Sequence, residues 1–307
     1  MNDQLDKIKE YVNDVAYNVK NDFSLNLDEI IESEFEKAFE ILDKYIEYIK
    51  REYGIDYKKP ELIILEDEIL KDKPSIIGSY SPIANIIIFS KKSIEREIDK
   101  LLKKYLSYII KGREYLNRGY NSIFMYPLYI NEKNEKDIRK AIAEFIIRST
   151  IFHEIWHSID NSILDKLEKD PTIKDRDYLL TILKDHDNFE LRASAFQVVM
   201  YYLVNGFHKH KKGYICKYVN IPMGRKYIEK LDILEKNKNT KEYVPYDLGY
   251  YYGNIIVAKY GPSLKENIYK VINDIIHLDK KRAIDEIKLY GDNLEWISND
   301  KNSNFVI

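Results

Sequence analysis

Between Asp137 and the Asp170-Pro171 step the chain contains neither proline nor glycine, and its apolar residues recur at helical spacing. Ile138, Ile142, Phe145, Phe152, Trp156, Ile159 and Ile163 fall on one stripe of an α-helix running from about Asp137 to Glu168. Asp170-Pro171 ends it, because the residue before a proline is pushed out of the helical region. A stripe of that length commits the segment to the core. On the adjacent stripe lie His153, His157 and Asp160. Polar groups buried beside an apolar face need partners.

The same segment reads Ile151-Phe152-His153-Glu154-Ile155-Trp156-His157, an HExxH motif. Residues four apart on a helix share a face, so both imidazoles can reach one cation at about 2.1 Å. Glu154 projects beside that point, where it can accept a proton from a zinc-activated water. With 6 His and 51 acidic residues, random placement produces HExxH in roughly one or two such chains per hundred. Its position inside an unbroken helix lowers that further.

Cysteine usage narrows the metal chemistry. Cys216 is the only cysteine, so an intrachain disulfide and the cysteine-rich structural zinc sites are excluded. A metal must be held by His and carboxylate groups, the ligand set of catalytic zinc. Formal net charge is −2, which argues against a dedicated nucleic-acid binder. The first residues, MNDQLDKIKEYVNDV, lack an apolar signal segment, and no run approaches the roughly 18 apolar residues of a membrane span. A cytoplasmic protein without membrane association is the expectation.

The rest of the chain reads as α+β with helices dominant. Residues 1–53 are predicted helical, with Ile30, Ile31, Phe35, Ala38, Leu42, Tyr45 and Ile49 as the apolar face and Gly54 as the stop. Glu61 to Leu65 forms a short strand, and Ile76–Tyr80 with Ile86–Phe89 forms a hairpin, so the sheet is small. Helices follow at Ile94–Lys111, Asp187–Asn205 and Tyr246–Tyr260, then two more to about Tyr290. Asn117–Tyr129 reads as an aromatic-rich loop, His208–Asn220 as basic and irregular, and Pro222-Met223-Gly224 as a break. The expected organisation is an N-terminal helical segment at 1–56, a subdomain with the sheet and the HExxH helix at 57–170, and a helical subdomain at 171–307. The basic His208–Lys212 run reads as a solvated loop, the lone His277 as structural, and Cys216 has no neighbour that would make it a nucleophile.

Two histidines leave a third zinc ligand to find. Asp160 lies one turn beyond His157 and reads as supporting a ligand or facing solvent. Glu190 is the better candidate, at the edge of a helix whose core stripe is Phe189, Ala193, Phe196, Met200 and Leu203. Small Ala193 and Ala195 allow that helix to approach closely. His186 shares a face with Glu190 and is the rival.

HEIWH followed at a distance by Glu190-Leu191-Arg192-Ala193-Ser194-Ala195-Phe196 resembles the paired zinc and glutamate helices of gluzincin zinc metallopeptidases. Val244-Pro245-Tyr246-Asp247-Leu248-Gly249 is similar to the VPYxxG segment of aminopeptidase N-type members. The resemblance extends over roughly residues 60–275. It implies a zincin-like fold and one Zn2+ per chain on His153, His157 and Glu190. It implies Glu154 as general base and Tyr246 as oxyanion donor, with Tyr250 the alternate one turn on, acting on a peptide or protein substrate. Gluzincins use an edge strand to pair with extended substrate, and Ile83–Phe89 is the candidate.

Two departures bear on this. The acid that such families carry one turn after the ligand Glu is Ser194 here, leaving Asp160 or Asp187 to support a zinc histidine. No G-x-M-E-N motif is present, so aminopeptidase specificity is not implied. Competing readings are a non-catalytic peptide-binding or regulatory module on the same scaffold, and a latent zymogen covered by its N-terminal helices. An intact Glu154 favours the enzyme, since a binding module has no use for the base.

Overall fold

The computed structural model describes residues 25–73, 75–111, 135–205, 209–210, 213–214 and 244–293. The helical reading of residues 1–24, the Asn117–Tyr129 loop, Cys216, the Pro222–Gly224 break and most of the basic segment lie outside them.

Helix α1 (Leu27–Tyr53) starts at Asn26, whose side chain accepts from the Glu29 N–H. It ends at Gly54, whose left-handed backbone (φ 61°) closes the helix without a Cβ clash. Its apolar stripe, Ile31, Phe35, Ala38, Leu42 and Ile49, is buried against α3 (Glu135–Lys169). Glu34, buried on the same face, accepts from Nε of Arg148 on α3 at 2.5 Å. Helix α1 is therefore part of the core.

Three short strands follow: β1 (Glu61–Leu65), β2 (Gly78–Ser81) and β3 (Ile86–Ser90). The hairpin forms where the sequence places it, with Asn85 at φ 52° in the turn. Asparagine tolerates that left-handed geometry better than most residues. The strand order β1-β3-β2 corrects one expectation, because β3 is the central strand and not an edge. β1 pairs parallel to β3 on the side opposite β2, so the backbone groups of Ile86–Phe89 are engaged on both sides. The edge that packs on α3 is β2.

Helix α2 (Lys91–Lys111) also packs on α3, which runs through the middle of the molecule. From Ile151 to Asp160 every residue of α3 is buried. The predicted apolar stripe accounts for one side only. The histidine-bearing side is covered by α5 (His186–Asn205), which α6 (Val244–Tyr260) backs in turn. Between α3 and α5 lies α4 (Arg176–Lys184), which the sequence reading missed. Its Leu179, Ile182 and Leu183 are buried at i, i+3, i+4, a signal short enough to pass for loop between two acidic flanks, the first carrying Pro171. A 3₁₀ turn (Gly261–Lys265), α7 (Ile268–Ile276) and α8 (Lys280–Asn293) complete the packing against α5 and α6. Within the basic segment, Lys209–His210 (β4) and Gly213–Tyr214 (β5) form a small antiparallel ladder where irregular chain was expected. Among the described residues no helix is long and apolar enough to cross a membrane.

Candidate metal centre

His153 and His157 project from consecutive turns of α3 toward Glu190 in the first turns of α5. Nε2 of His153 lies 3.1 Å from Oε2 of Glu190, and Nε2 of His157 lies 3.4 Å from the same oxygen. One donor atom from each of the three residues falls within 4.8 Å of the others. The two imidazoles stand nearly perpendicular, at 88° with centroids 4.7 Å apart, so their Nε2 atoms converge instead of stacking. Two nitrogens and one carboxylate oxygen make a donor set suited to zinc, with room left for a further ligand. The three residues fit a metal ion. Nδ1 of His157 is buried without a partner, so its Nε2 is the nitrogen directed at the cluster.

Neighbouring rings hold the imidazoles in place. Phe189 stacks on His157 at 4.2 Å and 11°, and Tyr246 lies parallel to His153 at 5.7 Å and 13°. Phe189 was predicted only as core, yet it immediately precedes Glu190 and covers a histidine. The cluster's electrostatics follow from its burial. Desolvation pushes the His153 pKa down, but Glu190 and Glu154 outweigh it, and the net shift is upward. Desolvation opposes ionisation of Glu190, yet the two histidines hold its carboxyl well below the usual carboxylate range.

Glu154 is buried next to this cluster, and its Oε2 accepts the backbone N–H of Tyr80 at 2.8 Å. The edge strand β2 therefore orients the carboxylate, a contact that only the packing of the sheet on α3 creates. Tyr246 reaches the site from α6. Burial, then Glu190 and Glu154, push its phenol pKa upward, so it remains an O–H donor at neutral pH. Tyr250, the alternate, donates instead to Oε1 of Gln197 at 3.2 Å, and burial likewise keeps its phenol protonated. Gln197 went unremarked in the sequence. It lies two turns beyond Glu190 on the same face of α5, a spacing that could have found it.

The position of α6 depends on two glycines. A Cβ at Gly249 would fall 2.3 Å from the Leu191 carbonyl oxygen and 2.6 Å from Cβ of Ser194. One at Gly253 would fall 2.8 Å from both the Ala195 carbonyl oxygen and Cβ of Val198. Helices α5 and α6 thus meet almost backbone to backbone, and this draws Tyr246 onto His153.

Other candidates lie elsewhere. The His186 side chain is 83% exposed, and its Nε2 is 3.9 Å from Glu190 Oε1, on the side away from the cluster. Asp160 neither joins the cluster nor faces solvent; it pairs with Arg192 on α5. Asp187 contributes only its backbone N–H, which donates to Oδ1 of Asp185 at the start of α5. Ser194 is buried, with Oγ unpartnered.

In comparisons with family models, with curated proteins and with solved structures, nothing matches this chain.

Proposed function

We propose that the chain is a zinc-dependent peptidase of gluzincin-like design, with His153, His157 and Glu190 as ligands to one Zn2+. The observation that carries the reading is the convergence of these three donors beside a carboxylate, Glu154, already oriented by an edge strand. A purely structural metal site has no need of that fourth group.

Zinc at this site would polarise a scissile carbonyl and acidify the attacking water. Glu154 takes the proton from that water and passes it to the leaving amine; its hydrogen bond from Tyr80 fixes the oxygen it works from. Tyr246, kept protonated by its surroundings, donates its O–H to the oxyanion that develops in the transition state. An extended peptide would pair along the outer edge of β2, the strand nearest Glu154, beside the Tyr80 N–H that Glu154 engages. In this reading residues 57–170 and 171–307 form the two walls of the cleft.

The test is zinc content and peptide cleavage in the wild-type chain and in Glu154→Gln. An amide cannot accept the proton, so the variant should hold zinc stoichiometrically and lose nearly all hydrolysis. Unchanged turnover would remove Glu154 from the mechanism. A wild-type chain that binds zinc and peptide without cleaving would return the binding-module reading.

A further inference from the structure

Asp160 follows His157 by one turn on α3, and Arg192 follows Glu190 by two residues on α5. The pair therefore joins the same two helices that carry the metal cluster. Both side chains are fully buried, at 0% exposure, and Nε of Arg192 donates to Oδ2 of Asp160 at 2.8 Å. Nη1 of Arg192 donates to the carbonyls of Ile182 at 3.2 Å and Leu278 at 3.3 Å, which ties the guanidinium to the end of α4 and to the residue two past α7. The clasp is monodentate: Oδ1 of Asp160 and Nη2 of Arg192 are buried without partners.

His157 supplies a complementary vacancy. Its Nε2 faces Glu190, and a neutral imidazole offering Nε2 as a ligand carries its proton on Nδ1. That Nδ1 is buried without an acceptor. Three positions along the same helix, on a neighbouring part of its surface, is a buried carboxylate oxygen without a donor. Nε1 of Trp156, one turn before Asp160, bears on the same carboxyl, and a carboxylate oxygen with two lone pairs can serve both donors.

We propose that Asp160 is the positioning residue of the centre: clamped through Oδ2 by Arg192, it accepts the Nδ1–H of His157 on Oδ1. It thereby fixes the tautomer and ring orientation that turn Nε2 toward Glu190. Ligating histidines commonly need such a partner on their second nitrogen. Ser194 stands where gluzincins carry their supporting acid on the glutamate helix, and the support here comes from the histidine helix instead. Arg192 secures Asp160 from α5, so one ion pair sets both the ligand's orientation and the spacing of the two ligand helices.

The inference rests on the zinc reading, and the experiment separates the two. In the zinc-loaded full chain, ring nitrogen and proton resonances of His157 should show Nε2 on the metal and an Nδ1 proton protected from solvent exchange. An Nδ1 proton exchanging freely with water, or zinc bound through Nδ1, would overturn the inference while leaving the zinc site standing. Asp160→Asn cannot offer one oxygen to Arg192 and another to His157. If it folds by circular dichroism, it should bind zinc about 10–100-fold more weakly in chelator competition. Unchanged affinity would count decisively against the proposal. If the variant does not fold, the ring measurement on the unmutated protein decides. A wild-type chain that binds no zinc would remove the metal reading itself, and this inference with it.

Discussion

Gly249→Ala tests the packing that brings Tyr246 to the site. The added methyl would lie 2.3 Å from the Leu191 carbonyl oxygen and 2.6 Å from Cβ of Ser194. Both obstacles are backbone or Cβ atoms of α5, so neither can swing aside as a flexible side chain would. Ordinary contact requires about 3.5 Å, so α6 must move away from α5 by roughly 1 Å. Overpacking of this kind costs about 1–3 kcal/mol, against which alanine recovers up to about 1 kcal/mol of helix propensity. The net expectation is a loss of about 1–2 kcal/mol, or a fall in Tm of roughly 2–3 °C for a chain of this size. Zinc content should be unchanged, because no ligand lies on α6. Hydrolysis should suffer more than stability does, since a displacement of about 1 Å at a catalytic group can cost on the order of 100-fold. Thermal unfolding, metal analysis and peptide cleavage on the same preparation give the three readouts. A Gly249→Ala protein as stable and as active as wild type would show that α5 and α6 are not in backbone contact, and the placement of Tyr246 would fall with it.

Glu190→Gln should lose most zinc affinity and all hydrolysis, whereas His186→Ala, at a side chain 83% exposed, should retain both; metal analysis of the two variants distinguishes the ligands, and the reverse pattern would assign the third position to His186. Tyr246→Phe should lower kcat by about 10²–10³ with little change in KM or zinc content, the usual cost of one oxyanion donor. The same loss in Tyr250→Phe, with Tyr246→Phe unaffected, would place the donor one turn further along α6. Glu34 tests the attachment of α1. Burial opposes its ionisation, but Arg148 and Lys37 hold its pKa below the ordinary 4.5. Its contribution to stability is therefore complete above about pH 4.5 and is lost as pH falls through the lowered folded value. Glu34→Gln should flatten that part of the stability–pH curve and cost toward the lower end of about 3–5 kcal/mol at neutral pH, since Arg148 keeps partial access to solvent. An unaltered acid limb in urea titrations would show that the pair does not hold α1 to α3.

The sequence by itself determined the elements whose signals are local. The HExxH helix, the helices carrying Glu190 and Tyr246, the hairpin and the strand Glu61–Leu65 all stand where periodicity, Gly54 and Pro171 put them. Helical spacing alone brings His153 and His157 to one face. It favoured Glu190 but could not dismiss His186, because both share a face of α5; packing against α3 buries one and leaves the other exposed. Nor could it order the sheet, since strand neighbours are chosen by pairing across the chain, and β1 takes the side of β3 that local pattern left open. Gln197, Arg192 and the N–H of Tyr80 carry no motif. They enter the site because α5, α6 and β2 close on the buried stretch Ile151–Asp160, where polar groups such as Glu154 and Asp160 find partners on other elements. Position along the chain fixes what a helix presents, but burial decides which of those groups meet, and that is a property of the packed elements together.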